Sequence, residues 1–527
     1  MNNHSDDSEE PFKYGDDYEE NDDEVQANDR NPSPPQELQQ NLEAVFGDSI
    51  GQTAFSKHWV LTTLMRLMDE VKLDAKTVED DEDQVEDVDE DFQNELCQLW
   101  DMSMNNEVAM YLEEFKAVDI LSDVISKSKA PRVTEICVGI LGNMACDANI
   151  CASMMLNKKL VDMMLMLLKG SDTPTLVETT RLLHTCFSNK QTSKSWNEAI
   201  KDDPEVQIDV QFILQSSTNS DLLKSTTEFV GILLDSDDEL CLNWADEALV
   251  ISLLEAIKQV GYNHSDALEP YLHIFQLFST SETGVEALMK CTGDLLEFLL
   301  KYLYGVCEDE IVGLDEHGNC LASAISTISV LFPSSSFTAK HMAELMRCLL
   351  KILDPLYPLI SSKISDTGNI QNDVNGKGET NPATEPQNLN EDNLDSVKNL
   401  DNNNLTVLQE NQILYGVLQK FLCDIVLSFY SESTKVTDEV ESNEGSEIKA
   451  EPYYLDALQY LDSSCSRERI YKMFHTLSDS ENNDDDLISI FDEISKTHSL
   501  QRLQRIVRDF KDGKAYDRSN SNQETSA

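Results

Sequence analysis

The sequence predicts an all-α protein whose helices repeat along one axis as a solenoid. Between residues 105 and 355, apolar segments of about 10–16 residues recur with helical spacing. Short breaks rich in Pro, Asn, Ser and Asp separate these segments, and no stretch alternates apolar and polar residues as a half-buried strand does. A third observation, an internal repeat, indicates which kind of solenoid to expect.

Two successive helical segments repeat the same pattern at a constant offset of 43 residues. The recurring residues are Pro131, Glu135 and Ile140 in the first segment and Pro174, Glu178 and Leu183 in the second. Both prolines lie where the first turn of a helix tolerates a missing N–H group. This offset falls within the ~40–47 residues of armadillo and HEAT units, which bury their apolar faces only against neighbouring units. The sequence therefore predicts an armadillo- or HEAT-like α-solenoid.

Composition separates the helical repeats from segments that we expect to be disordered. Acidic or Asn-rich stretches with few apolar residues bury too little surface to offset the entropy lost on ordering. The predicted organisation is a disordered acidic tail at 1–50, an armadillo-like helical repeat domain at 51–360 with an acidic loop at 74–90, a disordered linker at 361–409, C-terminal helices that close the solenoid at 410–511, and a disordered tail at 512–527.

The net charge of the chain limits its partners. With 98 acidic and 40 basic residues, the formal net charge is −58. Phosphate backbones and anionic lipid surfaces are recognised through Lys and Arg, so we expect no nucleic acid and no membrane among the partners. The acidic runs are typical of solvated, solubilising segments, and the alternative is that they attract basic proteins by long-range steering.

Cysteine usage and the N-terminus predict an intracellular protein. The first twenty residues have neither the basic region nor the apolar region of a secretory signal peptide. Twelve cysteines without any CxxC pair indicate reduced thiols rather than a disulfide framework. We therefore expect a location in the nucleus, the cytoplasm or both, and no secretion. Acid-flanked Ser8, Ser478 and Ser480, together with Ser33 before a proline, are common phosphorylation patterns and predict a phosphoprotein.

A search for catalytic and metal-binding motifs finds none that is convincing. The sequence has no phosphate-binding glycine motif, no GxSxG elbow and no HExxH. The nearest metal-like group, Cys307 with His317 and Cys320, lacks a fourth ligand, and scattered thiols with a surface histidine explain it better. We expect no cofactor, no metal and no enzymatic activity, although an enzyme whose site follows no recognisable motif stays an alternative.

Polar residues within the repeated helices are the candidate partner-binding site. In armadillo arrays the third helix of each unit lines the concave groove, and Asn143, Arg181 and His184 fall on predicted third helices. Trp100 is predicted beside them, where it caps the first unit. The planar donor fork of Arg181 and the ring of His184 suit a polar, partly acidic peptide. The alternative is that these side chains are helix caps or hydrogen bonds between units.

Four segments resemble a known family, the serum amyloid A-like protein 1 family. They are FSKHWVLTTL at 55–64, NELCQLWDMSMNNEVAMYLEEF at 94–115, PRVTEICVGILGNMACDANIC at 131–151 and TPTLVETTRLLHTC at 173–186. The resemblance implies an armadillo-type fold, a nuclear or nucleocytoplasmic location, a role in promoting cell proliferation and no catalytic residues. Nuclear-import receptors of that fold carry a Trp four residues before a groove Asn, whereas Gly139 precedes Asn143 here, which argues against import-receptor function.

Two main hypotheses for function follow, and a third stays open. The first is a non-catalytic armadillo-like scaffold that acts through protein–protein contacts and, by resemblance, promotes cell proliferation in the nucleus. The second is an acidic carrier or chaperone for basic proteins, in which the acidic segments are the active element. The third is the enzyme without a recognisable motif. A groove contact between packed surfaces is expected to persist in salt that screens steered acidic binding.

Overall fold

The computed structural model describes residues 47–74, 89–261, 265–308, 312–332, 337–367, 392–440, 452–479 and 487–513. These residues form 23 helices and no strand apart from one antiparallel bridge between Ser49 and Ser56. The helices of the first half are α1 Lys57–Asp74, α2 Glu90–Ser103, α3 Asn106–Glu114, α4 Ala117–Lys127, α5 Pro131–Met144, α6 Ala148–Leu156, α7 Lys158–Leu167, α8 Thr173–Ser188, α9 Ser193–Asp202, α10 Glu205–Ser216 and α11 Ser220–Ser236. Those of the second half are α12 Asp238–Trp244, α13 Glu247–Val260, α14 Ser265–Ser279, α15 Glu282–Lys290, α16 Thr292–Val306, α17 Leu314–Leu331, α18 Ala339–Thr367, α19 Asp392–Val440, α20 Leu455–Ser463, α21 Arg467–Ser478, α22 Leu487–Thr497 and α23 Gln501–Lys511.

The helices from α3 to α17 form five units of three, and every third helix packs against the third helix of the next unit. These contacts run without a break from α2 through α5, α8, α11, α14 and α17 to α19 and α22. We call these eight helices the third-helix stack. Because each unit buries its apolar surface against its neighbours in this way, the array is a solenoid, and the predicted fold class is confirmed.

Helix starts follow the side chains that the sequence places there. Helix α5 begins at Pro131, as predicted, and α8 begins at Thr173 with Pro174 in its first turn. The carboxylate of Asp172 accepts the backbone N–H of Thr175 at 3.0 Å and so caps α8. The carboxylate of Asp147 caps α6 in the same manner. Proline and N-cap acids therefore set the boundaries of the first units, which keeps their helices in register.

The core runs through the array as one apolar cluster of buried side chains. Helical spacing predicts that six apolar residues of α5 and α8 point inward, and all are buried: Ile136, Ile140, Leu141, Leu176, Leu182 and Leu183. All twelve cysteines are free thiols, which agrees with the prediction of reduced cysteines. Burial of branched side chains at about 1.5–3 kcal/mol each is the main term that stabilises such an array.

The folded part begins slightly earlier than the sequence predicts. Ile50 is 2% exposed, and the carboxylate of Asp48 accepts the backbone N–H of His58 at 2.9 Å at the start of α1. The predicted disordered tail at 1–50 is therefore too long at its end, because Asp48 and Ile50 are tied to the first helix. Residues 1–46 lie outside the described residues, as do 75–88 of the predicted acidic loop and 514–527 of the predicted C-terminal tail.

The predicted linker at 361–409 is too wide at both ends. Helix α18 continues to Thr367, and α19 begins at Asp392, so that only 368–391 lie outside the described residues. The sequence here is rich in Asn and Asp, which are poor helix formers, and composition alone therefore indicates a loop. Cooperative extension from the apolar segments on both sides carries the helices further than local propensity predicts.

The C-terminal helices pack on the repeats that precede them. Helix α19 contacts α17, and α20 and α21 contact α18, where Asp354 pairs with Arg469 and Lys472.

Among the described residues, the segment 409–433 of α19 is long and apolar enough to cross a membrane by length and composition. Its Leu418 and Phe421 are fully buried, so in this fold the segment is a helix of the core.

Candidate partner-binding face

The four predicted site residues lie together on three successive helices of the third-helix stack. Trp100 is on α2, Asn143 on α5, and Arg181 and His184 on α8. The amide Nδ2 of Asn143 donates to the backbone carbonyl of Trp100 at 3.1 Å and to the hydroxyl of Ser103 at 3.0 Å. These hydrogen bonds show that Asn143 links two units.

Arg181 is engaged by its own molecule rather than free for a ligand. Its Nε donates to Glu178 Oε2 at 2.8 Å, its Nη1 to Asn143 Oδ1 at 3.2 Å and its Nη2 to the carbonyl of Gly139 at 3.3 Å. The expectation that the donor fork of Arg181 is presented to a partner therefore needs correction. Each of its three nitrogens already has an acceptor, and two of these acceptors lie on α5, the preceding helix of the third-helix stack. The alternative of hydrogen bonds between units requires such contacts.

Trp100 fills the space that the absent side chain of Gly139 leaves. A Cβ built on Gly139 would lie 2.2 Å from Cε2 of the Trp100 indole, so the ring lies directly over the glycine backbone. A Cβ on Gly142 would lie 3.3 Å from Nη2 of Arg181. The two glycines of α5 thus permit close approach, Gly139 to an aromatic side chain of α2 and Gly142 to the guanidinium of α8.

His184 is the predicted site residue that has the most freedom. It is half-buried, and its side chain makes no hydrogen bond within the part of the chain that the structure describes; its carbonyl accepts the hydroxyl of Ser188 at 2.8 Å. An imidazole in this state offers one donor, one acceptor and a ring face. The polar atoms of His184 are therefore available to a partner.

A second ion pair precedes the one at Arg181, and sequence reasoning missed its role. Nη1 of Arg132 on α5 pairs with Glu135, whose side chain is 12% exposed, and its Nη2 contacts the thiol of Cys97 on α2 at 3.3 Å. Burial acts to lower the pKa of Arg132, but Glu135 outweighs it and raises the pKa, so the guanidinium stays charged. Glu135 and Glu178 are 43 residues apart, so the repeat marks the two glutamates. Their arginines are not repeated, because Arg132 precedes Glu135 by three residues whereas Arg181 follows Glu178 by three.

Beyond α8, the stack carries charges of both signs. On α11, Lys224 and Glu228 lie 3.9 Å apart, and His273 of α14 lies 3.6 Å from Asp235 at the end of α11. These side chains are about half exposed, so salt and water screen their interactions. We use the name third-helix face for the accessible side of α8, α11 and α14 that carries His184, Glu228, Asp235 and His273.

The described residues contain no group of three His, Cys, Asp or Glu side chains arranged to hold a metal ion. His317, one of the three residues in the metal-like pattern, has a buried Nδ1 with no hydrogen-bond partner in the part of the chain that the structure describes. The third-helix face itself carries charged groups and hydrogen-bonding side chains.

Comparisons with known proteins place this chain in a family. The family described as the SAAL1 C-terminal domain matches residues 206–465. Protein SAAL1 of Homo sapiens is 35% identical over 438 residues, which cover 78% of this chain and 87% of the human protein. Protein saal1 of Danio rerio is 40% identical over 347 residues, which cover 62% of this chain and 72% of the fish protein.

Solved structures give a more distant likeness. The crystal structure of Uso1-1 is 11% identical with a TM-score of 0.40, over 87% of this chain and 77% of that one. The crystal structure of an engineered protein is 16% identical with a TM-score of 0.37, over 84% of this chain and 98% of that one. The sequence relatives decide the family: as the four segments between residues 55 and 186 predict, the chain belongs to the SAAL1 family.

Proposed function

We propose that this protein is a non-catalytic scaffold that binds protein partners on its third-helix face. The observation that supports it best is the unbroken third-helix stack, which offers one long surface with accessible side chains of both charges. Solenoids use such extended surfaces to bind polypeptides. By its family resemblance we further propose a nuclear location and a role in promoting cell proliferation.

The binding surface is expected to centre on His184 and the polar residues of the next two helices. Arg181 and Asn143 hold neighbouring units together, so their part in binding is to position the face. Glu228, Asp235 and the imidazoles of His184 and His273 offer both acceptors and donors. We therefore propose a partner segment of mixed polarity that lies across α8, α11 and α14.

The test compares a variant of the face with a matched histidine variant elsewhere. His184→Glu alters the third-helix face. His58→Glu makes the same substitution on α1, where His58 is exposed and distant in sequence from His184. Affinity purification with quantitative mass spectrometry is expected to show a partner set that His58→Glu retains and His184→Glu loses about tenfold, the effect of one interface residue worth about 1.4 kcal/mol. Equal recovery with both variants would place binding elsewhere.

A double variant, Arg181→Ala with His184→Ala, would be less informative about binding than a variant of His184 alone. Because Arg181 pairs with Glu178 and holds Asn143, its removal perturbs the packing of α5 on α8 as well as the face. Circular dichroism and melting of the single His184 variant are expected to match the wild type, since the described part of the chain gives this side chain no hydrogen-bond partner.

The second candidate function, an acidic carrier for basic proteins, is favoured by the excess of 98 acidic over 40 basic residues. Binding through diffuse charge weakens steeply with salt because the Debye length falls from about 10 Å at 0.1 M to about 3 Å at 1 M. If partners dissociate when moderate salt is added, and if His184→Glu does not weaken their binding, the result would support the carrier function. Partners that persist in salt and depend on His184 support the scaffold.

A further inference from the structure

A cavity of about 500 Å³ lies between the end of α16, the middle of α18 and the beginning of α21. It is the kind of space that small-molecule sites occupy, since these measure roughly 300–1,000 Å³. The lining residues are Tyr304, Cys307, Glu308, Glu344, Arg347, Cys348, Lys351 and Arg469. None of them belongs to the third-helix face, so any ligand here is distinct from the proposed partner.

The lining carries more cations than carboxylates, whereas the chain as a whole is strongly acidic. Three cationic side chains line the cavity against two carboxylates, in a chain of net charge −58. Two of the cations are held by protein groups: Lys351 Nζ donates to the carbonyl of Cys307 at 2.6 Å, and Arg469 Nε donates to Asp354 Oδ2 at 2.5 Å. Lys351 contributes positive potential from a fixed position, which costs no reorganisation when an anion binds, whereas Asp354 offsets the charge of Arg469.

The third cation, Arg347, is available to a ligand. Its guanidinium carbon lies 5.5 Å from the centroid of the Tyr460 ring, and no carboxylate among the described residues pairs with it. Contact with an aromatic face orients the guanidinium plane and leaves its N–H edge open. That edge matches the two oxygens of a carboxylate or a phosphate group.

Tyr304 lines the same space, but its hydroxyl is not part of the accessible surface. The hydroxyl is inaccessible to water. Burial raises the pKa of Tyr304, and the carboxylate of Glu344 adds to the shift, so the hydroxyl stays protonated. A group that water cannot reach is also out of reach of a ligand oxygen, so Tyr304 shapes the wall and makes no hydrogen bond to the ligand.

The cavity continues into a second one. This neighbour, of about 330 Å³, follows the seam between α16 and α18 and shares Tyr304 and Glu344 with the first. Apolar contacts from Leu296 and Leu300 form part of its wall. The combined space accommodates an organic group attached to the anion that Arg347 binds.

We infer that this cavity is a binding site for a small organic anion, in which Arg347 binds a phosphate or carboxylate group. Lys351 supplies additional positive charge from a position that the protein fixes. The site brings together one helix of the fifth three-helix unit, α16, with α18 and α21, so ligand binding ties the C-terminal helices to the repeat array.

A cysteine in the wall gives a direct readout of occupancy. Cys307 is half-buried in the cavity, and Cys348 and Lys351 lower its pKa despite its burial. Iodoacetamide, which is neutral, alkylates a thiolate by displacement of iodide, and a bound ligand slows that reaction. Peptide mass spectrometry measures the rate at Cys307, and the exposed Cys146 of the same chain serves as the internal control.

The probes are phenyl phosphate and benzoate at millimolar concentration, with benzyl alcohol as the neutral control. We expect at least one anion to slow alkylation of Cys307 severalfold and to leave Cys146 unchanged. Protection by phenyl phosphate alone identifies a phosphate ligand, and protection by benzoate alone identifies a carboxylate ligand. Equal protection by benzyl alcohol, or none by either anion, would overturn the inference.

Variants test the assigned residues in the full-length protein. Arg347→Gln is expected to weaken protection about tenfold, the loss of one charge-assisted hydrogen-bond pair. Arg505→Gln removes the same charge from an exposed position on α23 and is expected to behave as wild type. Undiminished protection in Arg347→Gln, or protection by a hexaglutamate peptide but by neither small anion, would contradict a small-molecule site built on Arg347.

Discussion

Replacing Gly139 by alanine tests how closely α2 and α5 pack. The added Cβ would lie 2.2 Å from Cε2 of Trp100, whereas carbon atoms in good contact are about 3.5–4.0 Å apart. The Trp100 ring must therefore move by more than about 1 Å. Its backbone is not free to follow, because the Trp100 carbonyl accepts the Asn143 amide at 3.1 Å.

The magnitude follows from two opposing terms. Overpacking of this kind costs about 1–3 kcal/mol, and a contact this short belongs at the upper end. Alanine regains about 1 kcal/mol of helix propensity over glycine. We expect Gly139→Ala to lower the free energy of unfolding by about 2 kcal/mol. Gly231, inside α11, has no atom within 4 Å of a built Cβ, so Gly231→Ala is expected to raise it by about 1 kcal/mol.

Urea unfolding followed by circular dichroism measures the two variants side by side. Hydrogen exchange in α2 and α5 adds a local measure, because solenoids open in segments and a loss of 2 kcal/mol speeds exchange about 30-fold. In a Trp100→Ala background the Gly139→Ala change is expected to lose its cost. If Gly139→Ala is as stable as Gly231→Ala, the Trp100 ring does not lie on Gly139 and the assigned packing is wrong.

Three further predictions rest on other contacts. Arg181→Ala is expected to cost about 1–3 kcal/mol of unfolding free energy in urea, because it leaves Glu178, 14% exposed, without its partner, whereas Arg505→Ala on α23 is neutral. Although burial alone would raise the pKa of Asp237, the Leu240 amide and Lys201 outweigh it and lower the pKa, so stability from this carboxylate is present above its unfolded pKa of about 3.9 and lost as pH falls through the lower folded value. Asp237→Asn is therefore expected to destabilise at pH 7 and to converge with wild type in acid, as measured by urea titrations at several pH values; destabilisation that does not fade in acid would contradict this origin. Under denaturing, non-reducing conditions, alkylation is expected to add twelve groups to the intact mass, and any smaller number would reveal a disulfide.

The sequence predicted the array well because its signals are local and repeated. Pro131 and Pro174 define helix starts, and the 43-residue offset between them predicts that α5 and α8 occupy equivalent places in successive units. The inward residues follow from helical spacing alone, as Ile136 and Leu182 show. Periodicity decides which face of a helix is buried, and burial decides how units stack.

The roles of the polar residues were harder to predict. The sequence predicts that Arg181 lies on the groove side of α8. Two of its acceptors, Asn143 and the Gly139 carbonyl, belong to α5, which lies one repeat earlier. Such contacts depend on the distance between units, which no single helix encodes. The offset also drifts: Thr179 and its neighbour recur 47 residues later on α11, so a fixed spacing of 43 loses the pattern there.

The hydrogen bonds between third helices also determine the spacing that the contact residues of a partner must have. Thr180 bonds to Ser225 at 2.7 Å, and Ser323 donates to Gln276 at 2.7 Å, so a slip of one helix along the next would break these pairs. Packed helices lie about 8–10 Å apart, and an extended chain advances about 3.3 Å per residue. A peptide that crosses the stack therefore meets a new helix about every third residue. Partners of this scaffold are expected to carry their contact residues at that period, in a register that the array cannot adjust.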